Sequence, residues 1–154
     1  MKLERRDFVK HVSAGLFTAS LFGVVRPELS AAMALPDDIN MAKDPDNLQG
    51  LEVSHIPNLK LPMVAEDGRV VPIEVGVDHP MEKDHFIKSI TIIVLDDPIA
   101  SKGQFQFTPL SGKPYFKFQS RMASGTIPVY ALVECSKHGR WVGHSMIRIV
   151  GGGC

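Results

Sequence analysis

The segment TIPVYALVEC (126–135) alternates. Ile127, Val129, Ala131, Val133 and Cys135 fall on one side of an extended chain, with Thr126, Pro128, Tyr130, Leu132 and Glu134 on the other. A period of two marks a strand with one buried face; an amphipathic helix repeats its apolar positions every three or four residues. RVVPIEVGV (69–77) has the same pattern, with Val71, Ile73, Val75 and Val77 opposite Val70, Pro72, Glu74 and Gly76. FIKSITIIVLDD (86–97) is the most apolar β-branched run and is predicted to be a central strand. Further strands are predicted in LEVSHI (51–56), LKLPMVAED (59–67), 103–108, PYFKFQSRM (114–122) and RWVGHSMIRIV (140–150). Polar loops or turns separate them at 67–68, 78–85, 111–112 and 136–139. Seven or eight short strands with no long helical pattern imply an all-β, antiparallel β-sandwich of immunoglobulin-like architecture. The Cys…Trp…Cys spacing of true immunoglobulin domains is missing.

The first 34 residues stand apart from this pattern. Lys2, Arg5, Arg6 and Lys10 precede an apolar run at 11–25, and Ala32-Met33-Ala34 fits a small-x-small cleavage site. The run is shorter than the ~20 apolar residues that span a bilayer, so a removed signal is expected rather than an anchor. Arg5-Arg6 followed by Asp7-Phe8-Val9-Lys10 resembles a twin-arginine signal. The expectation is export to a bacterial periplasm with cleavage near Ala34. Residues 35–50, with Pro45 and Gly50, read as an N-terminal arm or short helix before a domain at 51–150.

The full sequence has 17 basic and 17 acidic residues. Cleavage after residue 34 leaves 12 basic and 14 acidic residues. That balance gives no electrostatic case for nucleic acid or an anionic membrane surface. Two cysteines, Cys135 and Cys154, are too few for a disulfide framework or a four-thiolate zinc site.

The sequence closes on Gly151-Gly152-Gly153-Cys154. Three residues of broad φ/ψ freedom between a predicted strand and a thiol make a swivel. Four residues give that thiol a reach of about 13–14 Å. A catalytic thiol needs fixed geometry and a positioned base. A swivelling thiol suits a carrier that presents bound cargo to several enzymes, with Cys154 as the attachment point and Gly151, Gly152 and Gly153 as its hinge.

The stretch IPNLKLPMVAEDGRVVPIEVGVDHPMEKDHFIKSITIIV, followed by DDPIASKGQFQFTPLSGKPYFKFQSRM, resembles the SoxY family. That family comprises the sulfur-carrier subunits of the periplasmic thiosulfate-oxidising Sox system. The resemblance covers about residues 51–154 and is most specific at 65–81. It implies a non-catalytic carrier without a cofactor, matched at Gly152, Gly153 and Cys154 to the family's Gly-Gly-Cys arm. It also implies a heterodimer with a SoxZ-like subunit. A haem-containing enzyme would conjugate thiosulfate to Cys154, a hydrolase would release sulfate, and a sulfur dehydrogenase or another acceptor would take the remaining sulfur. The family usually continues past the cysteine. Either the chain is short by a residue or two, or a terminal carboxylate on Cys154 itself makes the thiol less reactive.

Other readings compete. Cys135-x-x-His138 with Met146, and His79 or His85 from upstream, is the raw material of a blue-copper electron-transfer sandwich. Met146 lies too far along the last predicted strand for that. A structural or adhesion sandwich explains the fold but not the Gly-Gly-Gly-Cys end. His55, His79, His85, His138 and His144 show no metal-type spacing and are expected in loops or on the surface. Cys135 is expected to be a buried small hydrophobe, with a disulfide to Cys154 as the alternative. Trp141 is expected in the core. Phe105, Phe107, Phe116 and Phe118 are expected to divide between the core and a partner face. No Ser-His-Asp set, carboxylate pair or phosphate loop stands out.

Overall fold

The computed structural model describes residues 35–152. The leader at 1–34, Gly153 and Cys154 lie outside the described residues. Nine strands of the described residues form two sheets. The larger contains β1 (Ile39–Met41), β3 (Val64–Asp67), β5 (Ile87–Ile93), β6 (Ser101–Gln106), β8 (Gly125–Cys135) and β9 (Gly139–Gly151). Its order is β1-β9-β8-β5-β6, with β3 also on β9. The smaller sheet has β2 (Asn58–Lys60), β4 (Val71–Gly76) and β7 (Tyr115–Ser120) in the order β2-β4-β7. This is the expected β-sandwich.

The alternating runs bury the predicted faces. Val71, Ile73, Val75 and Val77 from one sheet meet Ile127, Val129, Ala131, Val133 and Cys135 from the other. Ile87, Ile90, Ile92, Ile147 and Ile149 complete the layer. Each such side chain, fully buried, contributes about 1.5–3 kcal/mol. The large sheet is built on the β8–β9 hairpin, paired from Gly125↔Ile149 to Cys135↔Gly139. The four phenylalanines bridge the sheets at one edge: Phe105 on β6 stacks on Phe116 of β7 at 3.8 Å between centroids.

Three predicted elements differ. LEVSHI is not a strand; Leu51–His55 forms a helical turn, α1. The Glu52 carboxylate accepts the amides of Gln49 and Lys43, and Ile56 N–H closes onto the Glu52 carbonyl. Pro57 then stops the turn, because it has no N–H to continue it. Residues 59–67 are split at Pro62 into β2 and β3, which join different sheets. The 35–50 arm contains β1, which pairs with β9 in parallel at Ile39↔Arg140. β3 is also parallel to β9, so the large sheet is mixed.

An ion pair locks the loop after β5. Lys102 Nζ stands 2.7 Å from Asp97 Oδ1, with both side chains almost fully covered. Asp97 also accepts the amides of Ala123 and Ile99. Burial opposes the Asp97 charge, but the Lys102 ammonium and the two amides outweigh it and hold the carboxyl below its ordinary range.

Candidate functional site

Four separate segments meet at the end of the sandwich where β8 turns into β9. α1 delivers His55 from its last residue. The loop between β4 and β5 delivers His79 and His85. β8 delivers Cys135 as its last residue, on the inward phase of the strand. The turn after it delivers His138, and Gly139 closes that turn at φ 70°, a conformation that disfavours side chains with a Cβ.

Local bonding explains why these segments hold their places. Glu82 and His85 exchange backbone hydrogen bonds, which makes a tight turn just before β5. Ser136 joins this loop to the β8–β9 turn: its hydroxyl accepts from Phe86 N–H and donates to the Asp84 carbonyl. Its own N–H bonds the Phe86 carbonyl. Trp141 Nε1–H donates to the His138 carbonyl at 2.9 Å, and its ring lies 5.0 Å from that of His55. Trp141 is therefore core, as expected, and is also a wall of the cluster. Pro57, two residues after His55, packs directly on Gly143 of β9.

The donor atoms face one another. His55 Nε2 is 3.2 Å from His79 Nε2 and 3.0 Å from His138 Nδ1. His138 Nδ1 is also 3.0 Å from His85 Nε2. Cys135 Sγ lies 3.5 Å from His79 Nε2 and 3.9 Å from His138 Nδ1, and it accepts the Lys137 amide. Ligand atoms of His55, His79, His85 and Cys135 all fall within 4.8 Å of one another. His55 and His79 are buried, and His85 and His138 are half-buried.

The proton positions follow from the outer contacts. His55 Nδ1 stands 2.7 Å from the Leu51 carbonyl, and His79 Nδ1 contacts the Pro80 carbonyl. A carbonyl oxygen only accepts, so both Nδ1 atoms carry hydrogen. In the neutral rings both Nε2 atoms are then bare lone pairs aimed at each other. Burial chiefly, and then the neighbouring imidazoles, lowers the His79 pKa to about 4. Burial also lowers His55 and His85, with His138 adding to both. Imidazole and thiol together suit a first-row transition ion.

Of the histidines read as loop or surface groups, His79, His85 and His138 do lie in loops, while His55 ends α1; none of the four is a surface group, and all four converge. Their separations in sequence, 24, 6 and 53 residues, carry no local motif. The one readable signal is Cys135-x-x-His138. His144 does face outward from β9, beside Tyr130. Met146 is half-exposed and lies opposite Pro128, several residues along β9 from the cluster. The blue-copper ligand set therefore loses its methionine. Cys135 is buried, but it lines the cluster rather than only packing the core.

The arm leaves from the opposite end of β9. Gly151 is the last residue of that strand, paired with Asp67, and its carbonyl accepts the Gly68 amide. A Cβ there would stand 2.5 Å from the Glu66 carbonyl oxygen. Close packing therefore demands this glycine, which belongs to the strand. β9 runs thirteen residues from Gly139 to Gly151, on the order of 40 Å. Cys154, and with it the alternative of a Cys135–Cys154 disulfide, lies outside the described residues.

Several known proteins share this architecture. A superoxide reductase (neelaredoxin) from Ignicoccus hospitalis, a single-residue variant, has a TM-score of 0.63 at 21% identity, covering 76% of this chain and 98% of its own. A putative superoxide reductase from Thermotoga maritima has a TM-score of 0.60 at 20% identity, covering 76% and 98%. The sulfur carrier protein SoxY from Chlorobium limicola f thiosulfatophilum has a TM-score of 0.53 at 19% identity, covering 72% and 83%. At such identities these likenesses establish the fold alone. No curated protein matches the chain. Residues 50–154, however, match the family described as sulfur oxidation protein SoxY. That span takes in both the sandwich and the Gly-Gly-Gly-Cys end, and the chain belongs to the SoxY family.

Proposed function

We propose that this protein carries sulfur intermediates covalently on Cys154 during thiosulfate oxidation. The observation that carries the reading is the family match, which runs through the C-terminal thiol. The thiol follows two glycines beyond a strand end pinned by Asp67 and Gly68. A fixed base with a slim tether lets the cargo enter other proteins' clefts while remaining attached, which keeps its effective concentration high. The leader sends the chain to the periplasm through a twin-arginine signal. A SoxZ-like subunit is its partner, and the conjugating, hydrolysing and sulfur-accepting enzymes act on the arm. Intact-mass spectrometry of protein from thiosulfate-grown cells tests this. Thiosulfonate or sulfane-sulfur adducts on Cys154 are expected, and Cys154→Ser should abolish turnover by the reconstituted system. Full turnover by that variant would refute it.

The four-imidazole, one-thiol cluster favours a second reading. Chains of like fold are named superoxide reductases, and a redox ion held by this cluster would let the present chain act on superoxide too. One electron from an external donor and two protons from water convert superoxide to hydrogen peroxide. Stopped-flow consumption of superoxide by ion-loaded protein, lost in Cys135→Ser, supports it; a decay rate equal to that in buffer refutes it.

A further inference from the structure

We propose that His55, His79, His85, His138 and Cys135 bind one divalent first-row transition metal ion through four nitrogens and one sulfur. The first argument concerns lone pairs. With both Nδ1 hydrogens committed to the Leu51 and Pro80 carbonyls, the Nε2 atoms of His55 and His79 face each other at 3.2 Å. Two buried acceptors at that distance repel, and a cation between them engages both lone pairs at once. In the metal-free protein the neighbouring donors serve instead: the Cys135 thiol stands 3.5 Å from His79 Nε2, and His138 Nδ1 stands 3.0 Å from His55 Nε2. An ion takes the place of those hydrogens and draws the same atoms inward as ligands.

The second argument is metric. Two nitrogen donors at ~2.1 Å from one ion and at right angles stand about 3.0 Å apart, and a sulfur at ~2.3 Å stands about 3.1 Å from a neighbouring nitrogen. The observed nitrogen separations are 3.2, 3.0 and 3.0 Å around His79, His55, His138 and His85 in that order. Those four nitrogens follow one another, and the rings at the two ends, His79 and His85, stand 4.4 Å apart between centroids. Cys135 Sγ, at 3.5 and 3.9 Å from two of the nitrogens, caps them after a small approach. Five donors exceed the closed tetrahedral zinc set. Four imidazoles with one thiolate suit iron, cobalt or nickel better than calcium or magnesium, which prefer oxygen.

The outer contacts are those of a metal site. Two ligand rings donate their remote N–H to backbone carbonyls, which fixes tautomer and orientation, and the sulfur accepts the Lys137 amide. His85 and His138, the half-buried pair, give the ion its entrance. Binding displaces the thiol proton to solvent and leaves the imidazoles neutral.

This inference is independent of the carrier role, and it underlies the superoxide reading rather than following from it. An ion that binds without consuming superoxide would leave it intact. The test uses the full chain, stripped with a chelator and titrated without oxygen against Fe(II) and Co(II). One equivalent per chain is expected, with a thiolate-to-cobalt charge-transfer band and the weak d–d bands of a five- or six-coordinate ion. Cys135→Ser should retain cobalt but lose the charge-transfer band. His55→Gln should weaken binding at least about tenfold, with His85→Gln on the loop before β5 as the replacement should that variant misfold by circular dichroism. His144→Gln and Cys154→Ser should load like the parent. No saturable one-to-one binding, a charge-transfer band that persists in Cys135→Ser, affinity unchanged in the histidine variants, or binding lost with Cys154→Ser would each overturn the proposal.

Discussion

Gly143→Ala should destabilise the fold and disturb the histidine cluster together. A Cβ at residue 143 would meet the Pro57 carbonyl oxygen at 2.8 Å, Cγ at 3.0 Å and Cδ at 3.2 Å. The proline cannot simply retreat: Asn58–Lys60 is paired to β4 on one side, and Ile56 is tied to Glu52 on the other. Relief needs a backbone shift of about 0.5 Å, and overpacking of this kind costs about 1–3 kcal/mol. Alanine recovers about 0.4–1 kcal/mol through the stiffer unfolded chain, leaving a net loss of about 1–2 kcal/mol. For a domain of this size that lowers Tm by about 3–10 °C. Thermal melts followed by circular dichroism measure it. His55 lies two residues before the displaced proline, so cobalt affinity should fall in the same variant. A Tm within about 1 °C of the parent, with cobalt affinity unchanged, would show that the Pro57–Gly143 contact neither limits packing nor places His55.

Two further outcomes follow from charge. Asp97→Asn strands the buried Lys102 ammonium and should cost about 3–5 kcal/mol in urea denaturation, most of it recovered by adding Lys102→Met; a loss under about 1 kcal/mol would mean water reaches the pair. In metal-free protein, His79 titrates at about 4 rather than at its ordinary 6.5, so the unfolded chain takes up its proton first as pH falls. Stability from this group is full above about 6.5 and is lost on the way down to about 4. Allowing for solvent at the rim of the cluster, the loss is about 1–3 kcal/mol. Urea midpoints that stay flat from neutral pH down to about 4.5 would refute the burial argument.

The strands are legible where one face is buried and the other wet. In β4 and β8 the period of two names the inward residues, Val71 to Val77 and Ile127 to Cys135. LEVSHI misleads because a run of five or six residues fits either period, and the deciding bonds come from the Glu52 carboxylate rather than from hydropathy. The cluster is nearly invisible for a related reason. Its members sit at element ends and in loops, which strand periodicity does not describe, and tertiary pairing such as Cys135↔Ile87 brings them together. The Ser136 clamp and the Gly143 contact likewise exist only across segments distant in sequence. The Gly-Gly-Gly-Cys end reads in sequence as a single swivel; packing against Glu66 assigns its first glycine to the framework.

The length of β9 has a consequence for traffic. One uninterrupted strand separates the imidazole pole from Gly151 at the other. Under the carrier reading proposed above, cargo starts from the pole far from its own imidazoles, and an encounter between the two is expected to be bimolecular, with a rate that rises with protein concentration. On that reading enzymes service one pole while the other keeps its separate chemistry.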